Sequence, residues 1–250
     1  MDERISPAAG IICASDELLS EAQALAARLG LPLTDGQSGL CLSLGRDGLS
    51  LLEGRVSVRV DFSEYAKRVR PSNLAGELLI KAAKPGGKDG LYAVDATAGF
   101  GEDSFLLAAA GFEVIMFERN PVTAALLEDG LTRGKSDPGI AHILARMTLV
   151  KGDAIDLLPR LEKRPDLVLL DPMFPQRKKG SAPKKKAQML EKLEPPCTDG
   201  ERLLAAAFAS GAEKIIIKRP RTGETLGGRK PDYSITGDAV RYDCFFGGKV

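Results

Sequence analysis

A short stretch near the middle of this chain combines two glycines with two acidic residues in a pattern that could bind a charged ligand. Gly99 and Gly101 allow a tight turn and a close approach of a ligand to the backbone, and Glu102 and Asp103 follow directly. Carboxylates at this place would repel a diphosphate, but they could face a cation or accept hydrogen bonds from hydroxyl and amine groups. S-adenosylmethionine has that chemistry, because it carries a sulfonium and an ammonium and no phosphate. The simpler interpretation is a tight turn in an α/β protein of another kind.

The elements around this loop are those of a ligand-binding α/β unit. Residues 91–94 predict a buried strand that ends at Asp95, and residues 104–110 predict a helix that ends at Gly111. A strand, a glycine loop and a helix in this order form the place where open α/β sheets bind ligands. Dinucleotide-binding folds use G-x-G-x-x-G here, and Ser104 stands where the third glycine would be.

A second acidic residue closes the next predicted strand. Residues 114–117 predict that strand, and Glu118 follows it roughly twenty residues after the loop, where a carboxylate can accept hydrogen bonds from both ribose hydroxyls. NAD-dependent enzymes and methyltransferases share this feature, so it indicates a nucleoside-bearing cofactor without choosing between them. The alternative is an ion pair between Glu118 and Arg119 at a solvated strand end. Pro121 favours the first turn of a helix that continues over residues 122–131.

Two further strands end in the same way. Residues 148–151 predict a third strand, and Asp153 beyond it could accept a hydrogen bond from an adenine amine or cap a helix over residues 155–161. Residues 166–170 predict a fourth strand that ends at Asp171. Four successive strands therefore end in polar or acidic residues at one edge of a sheet, which is the strongest functional signal in the sequence.

The segment after the fourth strand has the residue types that methylation of an exocyclic amine needs. The Asp171 carboxylate and the Pro172 carbonyl can each accept an N–H and so orient an amine, and Phe174 can stack on a base taken out of its pairing. Rate enhancement would then come from positioning and electrostatics, with proton loss after transfer. The alternative is a turn that leaves the strand with Phe174 packed inside.

Three motifs stand in a distinctive order along the chain. They are Asp95-Ala96-Thr97-Ala98-Gly99, Glu118-Arg119-Asn120-Pro121 with the following Ala124-Ala125-Leu126-Leu127, and Asp171-Pro172-Met173-Phe174-Pro175. Together they resemble the bacterial small-subunit ribosomal RNA methyltransferase J family, the 16S rRNA guanine-N(2)-methyltransferases. The resemblance extends from about residue 65 to near the C-terminus.

This resemblance implies a class I S-adenosylmethionine-dependent methyltransferase fold, Rossmann-like with a seven-stranded, mostly parallel sheet. It also implies S-adenosylmethionine as the methyl donor and a guanine amine (N2) in 16S ribosomal RNA as the acceptor. Family members can have small hydroxyl residues at the positions of Asp153 and Ala154. The cofactor contacts that this resemblance implies by position are Glu102, Asp103, Glu118, Arg119, Asp153, Ala154 and Asp171. The loop residues Asp95, Gly99 and Gly101 are further candidate cofactor contacts.

Basic residues near these motifs predict an RNA-binding surface. Three precede the first strand of the sheet, a second group lies in a stretch predicted to be a flexible loop beside the acceptor pocket, and two end a fifth parallel strand over residues 214–218. Each group could instead be a solvated charge run. The net charge of +1 means that any RNA-binding face must be local. The candidate RNA contacts are Lys67, Arg68, Arg70, Arg177, Lys178, Lys179, Lys218 and Arg219, with Lys184, Lys185 and Lys186 in the same loop.

The chain divides in this interpretation into a small N-terminal α/β appendage over residues 1–63 and a methyltransferase domain over residues 64–250. Residues 11–13 predict a strand, residues 16–29 a helix, and residues 40–44, 49–52 and 56–62 a short antiparallel sheet. Elsewhere the pattern predicts a helix over residues 74–83 capped by Ser72, a helix over residues 200–210, and a final antiparallel strand over residues 238–246.

Composition narrows the class of protein. A hydrophobic content of 44% over 250 residues can form a full core. The sequence has no apolar run that could span a bilayer, and its first residues do not resemble a signal peptide. Its four cysteines and one histidine lack metal or disulfide spacing, so we expect a cytoplasmic protein without a metal.

The predicted function is methylation of a guanine N2 amine in 16S ribosomal RNA or the small ribosomal subunit, with S-adenosylmethionine as cofactor. Two alternatives stay open. A nicotinamide-dependent Rossmann oxidoreductase would share the loop and Glu118, but it should have a loop compatible with pyrophosphate. A non-catalytic RNA-binding protein on a methyltransferase scaffold would keep the basic residues and lose the donor pocket.

Overall fold

A computed structural model of the chain describes residues 8–36, 39–84, 90–173, 185–194 and 197–247. Within these ranges eleven strands are present: β1 (Ala8–Cys13), β2 (Leu40–Gly45), β3 (Gly48–Glu53), β4 (Val56–Val58), β5 (Tyr92–Asp95), β6 (Glu113–Glu118), β7 (Met147–Lys151), β8 (Leu167–Leu170), β9 (Lys214–Pro220), β10 (Tyr233–Thr236) and β11 (Val240–Phe246). The helices are α1 (Leu19–Leu29), α2 (Pro71–Leu74), α3 (Leu78–Ala83), α4 (Glu102–Ala109), α5 (Pro121–Gly134), α6 (Ala141–Leu144), α7 (Ala154–Leu157), α8 (Lys185–Leu193) and α9 (Gly200–Ala209).

The larger of the two sheets that these residues form has the number and the direction of strands that the resemblance implies. Its strand order is β10-β11-β9-β8-β5-β6-β7, with β5 to β9 parallel and β11 antiparallel to β9. The central strands β5 and β8 are buried at every position, as expected of strands covered on both faces. The seven-stranded, mostly parallel sheet of the Rossmann-like class I fold is therefore confirmed.

The smaller sheet lies in the N-terminal part of the chain, and its strand order is β1-β2-β3-β4. The strands β2, β3 and β4 are antiparallel as predicted, whereas β1 joins β2 in parallel through the crossover helix α1. Gly30 ends α1 in the left-handed conformation, as its position predicts. The predicted strand over residues 56–62 is shorter, because Phe62–Tyr65 form a 3-10 helix.

The two sheets share one hydrophobic cluster. Leu42 and Leu51 of the small sheet belong to the same buried cluster as Phe105 of α4 and Leu126 of α5. The rings of Phe62 and Phe105 lie 5.2 Å apart, centroid to centroid. A second cluster fills the opposite face of the large sheet, beneath α7 and α9. The N-terminal unit thus packs against the helices that cover one face of the large sheet.

Several predicted boundaries are wrong. The helix expected over residues 74–83 is two short helices, because the backbone is extended at Glu77 after Gly76; Arg70, not Ser72, precedes the first of them. The helix expected over residues 155–161 changes to a 3-10 turn at Leu158, next to a proline that cannot donate a helical hydrogen bond.

The sequence prediction also missed α6, α8 and β10. Of these, α8 lies where a cationic loop was expected, so Lys185 and Lys186 belong to a helix. No helix in the described part of the chain is long and apolar enough to cross a membrane.

Candidate active site

The carboxyl ends of the parallel strands surround one pocket, as the sequence predicts. Its volume is about 270 Å³, and it opens at the edge of the sheet where β5, β6, β8 and β9 end. Among the described residues that line it, eight are acidic and three are basic. The charged residues are Asp95, Glu102, Asp103, Glu118, Asp153, Asp171, Glu194 and Asp199, with Arg119, Lys186 and Lys218. Apolar and aromatic side chains, among them Tyr65, Phe100, Phe117, Ile155 and Leu190, complete the lining.

The glycine loop between β5 and α4 needs its glycines. Gly99 has φ of 53° and Gly101 has φ of 76°, a region that residues with a Cβ rarely adopt. A Cβ at Gly101 would lie 2.9 Å from Leu127 Cδ1, and one at Gly99 would lie 3.2 Å from Leu190 Cδ2. Because the loop also donates the Gly99 N–H to Glu118 Oε2 at 2.9 Å, it is held against the end of β6.

Asp95 supports this loop from beneath. Its side chain is buried, and its two oxygens accept hydrogen bonds from the Thr97 N–H at 3.1 Å and the Ser104 hydroxyl at 2.6 Å. Burial raises the pKa of Asp95 to about 7, and the Ser104 hydrogen bond opposes that rise. Asp95 lines the pocket, and its hydrogen bonds join the end of β5 to the start of α4.

Glu118 is buried at the end of β6, with 4% of its surface exposed. Its Oε2 accepts the Gly99 N–H, and its Oε1 accepts the Asn120 N–H at 2.7 Å. Burial raises the pKa of Glu118, and the neighbouring carboxyl of Glu194 raises it further. Each oxygen of a carboxylate has two lone pairs, so Glu118 keeps acceptor capacity that faces the pocket.

Arg119 makes ion pairs with residues other than Glu118. Its Nη1 lies 3.6 Å from Asp153 Oδ2 and 3.4 Å from Asp199 Oδ2. Asp153 also caps α7, since its Oδ1 accepts the Ile155 N–H at 2.9 Å. Asp153 and Ala154 both line the pocket. Capping and a place in the site therefore occur together at Asp153.

The two acids expected to contact the ligand across the sheet edge are bridged by a lysine. Lys218 Nζ at the end of β9 lies 2.6 Å from Asp103 Oδ2 and 2.9 Å from Asp171 Oδ2. Burial raises the pKa of Asp171, while Lys218 opposes that rise. The Asp171 N–H donates to Thr97 Oγ1 at 2.6 Å, so the backbone at this position is held by the glycine loop. Lys218, which the sequence assigned to RNA, is part of the pocket.

The other candidate RNA contacts have different positions. Lys67 and Arg70 are exposed. Arg68 makes a two-bond ion pair with Glu77, at 2.8 and 3.0 Å, and a further ion pair with Glu102. Arg219 is buried, with 7% of its surface exposed, which gives no support to the predicted RNA contact. Phe174, Arg177, Lys178 and Lys179 lie outside the described residues.

Sequence reasoning missed the contribution of α8 and the segment after it. Lys186, Leu190 and Glu194 line the pocket from this side, and Asp199 pairs with Arg119. Met189 and Leu193 are buried at helical spacing, a signal that the run of lysines obscured. For Asp199, the only sequence feature that could have indicated a role is its position just before α9.

Comparison with known proteins agrees with this geometry. Residues 24–247 match a protein family described as "Putative SAM-dependent methyltransferase". The ribosomal RNA small subunit methyltransferase J of Pseudomonas paraeruginosa is 40% identical over 98% of this chain and 97% of its own length. The protein of the same name from Thioalkalivibrio sulfidiphilus is 40% identical, over 99% of each chain. The crystal structure of a SAM-dependent methyltransferase from Neisseria gonorrhoeae matches with a TM-score of 0.76 and 31% identity, covering 96% of this chain and 97% of that one.

Proposed function

This chain belongs to the ribosomal RNA small subunit methyltransferase J family, and on that premise we propose that it transfers a methyl group from S-adenosylmethionine to a guanine N2 amine in 16S ribosomal RNA. The observation that carries the proposal is the excess of acidic over basic side chains in a pocket at the carboxyl edge of the sheet. We expect this activity in the cytoplasm, on the small ribosomal subunit or its RNA.

The residues present fit the proposed donor. The described residues that line the pocket include eight acidic and three basic side chains, a balance that attracts a cation and disfavours a diphosphate. One oxygen of Glu194 is buried and has no hydrogen-bond partner among the described residues, so the site has unused acceptor capacity for hydroxyl or amine groups. These features disfavour a nicotinamide dinucleotide. The acidic pocket would serve no purpose in a protein that only binds RNA.

Each part of the donor has a set of residues that could hold it. Glu118 would accept the ribose hydroxyls, Asp153 and Ala154 would lie on the adenine side, and the loop from Gly99 to Asp103 would bind the methionine end. S-adenosylmethionine supplies an electrophilic methyl group on a sulfonium. The loop is rigid before any ligand arrives, because Asp95 and Glu118 accept hydrogen bonds from its backbone.

Asp171 and Pro172 would orient the acceptor amine. With Lys218 on Oδ2, the other oxygen of Asp171 remains to accept an N–H, and the Pro172 carbonyl can accept the second. The raised pKa of Asp171 also suits it to take the proton that the amine nitrogen must lose after the transfer. Phe174, which would stack on the base, lies outside the described residues. Lys67 and Arg70 are the exposed cations that would contact RNA phosphates.

Substitution of Asp171 by alanine tests this assignment. We expect Asp171→Ala to retain binding of the donor, measured by calorimetric titration, and to lose most of its methyl transfer to 16S RNA from an unmodified strain. Asp156→Ala, an exposed aspartate on α7 that does not line the pocket, is the matched control. Unimpaired transfer by Asp171→Ala would refute the role of Asp171. Binding of NAD in place of the donor would refute the function.

A further inference from the structure

A second groove lies on the N-terminal part of the chain, next to the active-site pocket. It has a volume of about 590 Å³ and is bounded by the turn between β2 and β3, by the segment after β4 and by the first turn of α8. Lys186 lines both this N-terminal groove and the active-site pocket, so the two cavities adjoin. The charged residues in the described lining of the groove are three basic and two acidic, namely Arg46, Arg59, Lys186, Asp47 and Glu64.

The small sheet forms the floor of the N-terminal groove. Ser43 of β2, Ser50 of β3 and Ser57 of β4 line it, and Ser43 stands opposite Ser50 in the strand register. Side chains alternate between the two faces of a strand, so the neighbouring Leu42 and Leu51 are buried in the core on the other face. Hydroxyl groups from three adjacent strands can therefore donate hydrogen bonds to an anion in the groove.

Two arginines at the edge of this floor have donors available for a ligand. Arg46, in the turn after β2, pairs with Glu17 at 2.8 Å, and the two side chains are 75% and 71% exposed. Arg59 lies 3.5 Å from Asp61 and donates to the Asp47 carbonyl at 3.3 Å. A guanidinium has five N–H donors, and exposed ion pairs contribute little stability. An anion can therefore bind both arginines without the loss of a strong contact.

Lys186 is held where the groove meets the pocket. Its Nζ pairs with Glu64 and lies 5.5 Å from the centroid of the Tyr65 ring. Tyr65 lines the active-site pocket, whereas Glu64 lines the groove. A nucleotide whose base enters the pocket would bring the adjoining phosphates of its strand close to this ammonium group.

The active-site pocket itself is poorly suited to bind phosphates. Acidic side chains outnumber basic ones in its described lining, and two of the nearby cations already pair with its acids. Arg68 pairs with Glu102, and Lys218 pairs with Asp103 and Asp171. Phosphates of a bound RNA therefore need cations outside the pocket. In the described lining of the adjoining N-terminal groove, basic side chains outnumber acidic ones.

We propose that the N-terminal groove binds the phosphodiester backbone of the substrate RNA beside the target guanine. This inference rests on the proposed function and assigns a second part of the surface that binds the substrate. Arg46 and Arg59 bind phosphate oxygens together with the serine hydroxyls, and Lys186 contacts the phosphate nearest the pocket. Because these contacts are to the backbone, they add affinity and fix the orientation of the RNA without reading its sequence.

Substitution of both arginines tests the proposal. The double variant Arg46→Gln/Arg59→Gln removes two exposed charges that do not line the active-site pocket. We expect the KM for 16S RNA from an unmodified strain to rise roughly tenfold, with kcat and the Kd of S-adenosylmethionine unchanged. In filter binding without the donor, the Kd for the same RNA should rise roughly tenfold, and the slope of log K against log salt should become shallower by about 1.5.

The double variant Arg28→Gln/Arg146→Gln is the matched control. It removes the same number of charges, and both arginines pair with glutamates at partly exposed positions, Arg28 with Glu128 and Arg146 with Glu113. Neither arginine lines the groove or the pocket. We expect the control to bind RNA and to transfer methyl groups as the unsubstituted protein does.

Each outcome decides the proposal. An unchanged KM and salt dependence in the groove variant would overturn it, and so would an equal effect of the control. Weaker binding of polyglutamate with unchanged binding of RNA would overturn it as well, since the groove would then suit an acidic protein. If the double variant does not fold, Arg46→Gln alone is measured and should raise the Kd for RNA roughly threefold. If the unsubstituted protein binds the RNA but transfers no methyl group to it, the proposed function fails, while the binding data still decide whether the groove holds the RNA backbone.

Discussion

Lys218 is the residue whose substitution should most disturb the charge balance of the site. Its Nζ lies 2.6 Å from Asp103 Oδ2 and 2.9 Å from Asp171 Oδ2, so it neutralises two carboxylates from different elements. Lys218→Met would keep much of the side-chain volume and leave the two acids facing each other without a cation. The predicted effect is a loss of stability that depends on pH.

The magnitude follows from the burial of the three side chains. Their exposed fractions are 25% for Lys218, 13% for Asp103 and 39% for Asp171. Removal of one partner from a buried ion pair costs about 3–5 kcal/mol, and partial exposure reduces that cost, so we expect a loss of roughly 2–3 kcal/mol near pH 8. For a chain of this length the loss corresponds to a fall in Tm of roughly 5–10 °C.

The sign of the pH dependence follows from the pKa of Asp171. Burial raises this pKa and Lys218 opposes the rise, so the substitution raises it further. A carboxyl whose pKa is higher in the folded state than in the unfolded chain stabilises the folded state more as the pH falls. The deficit of Lys218→Met should therefore be largest near pH 8 and shrink toward about pH 5.

Urea denaturation at both pH values measures this effect. Lys151→Met is the control, because Lys151 ends the parallel strand β7 but pairs with Glu128 at an exposed position, where removal should cost less than about 1 kcal/mol. Combining Lys218→Met with Asp103→Asn should recover more than half of the deficit, since one of the facing charges is removed. A deficit below about 0.5 kcal/mol at pH 8, or one that does not change with pH, would refute the reasoning.

Two further predictions concern glycines. The free energy of unfolding of Gly101→Ala, measured by urea denaturation, should fall by roughly 1–3 kcal/mol, because the new Cβ meets Leu127 at 2.9 Å and φ is 76°. Gly111→Ala is the control and should lose less stability, since φ there is 101° but the space around the new Cβ is open. Equal losses in the two variants would contradict the predicted steric clash. Gly130→Ala should cost roughly 1–3 kcal/mol of stability, since its Cβ would lie 2.5 Å from Val60 Cγ1. This variant should unfold in one transition, and two separate transitions would instead favour an independent unit over residues 1–63.

Local patterns were sufficient to predict the parallel strands of the large sheet and the acids at its edge. Short apolar runs bounded by glycine and acidic residues correspond to β5, β6, β7 and β8, because a buried parallel strand needs a continuous apolar segment. The positions of Glu118 and Asp171 followed from the same patterns, since residues after parallel strands come together at one edge whatever the intervening helices do. These are properties of neighbouring residues, and the sequence contains them directly.

Two of the elements that sequence reasoning missed, α8 and β10, lack such a pattern. The lysines at the start of α8 resemble a solvated loop, although Met189 and Leu193 beyond them are buried. β10 is a short strand at the edge of the sheet, exposed at alternate positions, and its pairing with β11 depends on the partner strand. Tertiary contacts decided both elements.

The sequence could not identify which residues the charged side chains contact, because these contacts also depend on the tertiary structure. Lys218 was predicted to contact RNA, but its partner Asp103 lies 115 residues away in the chain. Glu118 and Glu194 line the same pocket from distant parts of the chain, and Asn120 joins the segment after β6 to the end of α8. A charged side chain has the same local signature whether it faces solvent, RNA or another residue. The sequence by itself therefore determined which strand ends carry the acids, and only the tertiary structure decided which charges neutralise one another, because ion pairing depends on distances in space that residue spacing does not encode.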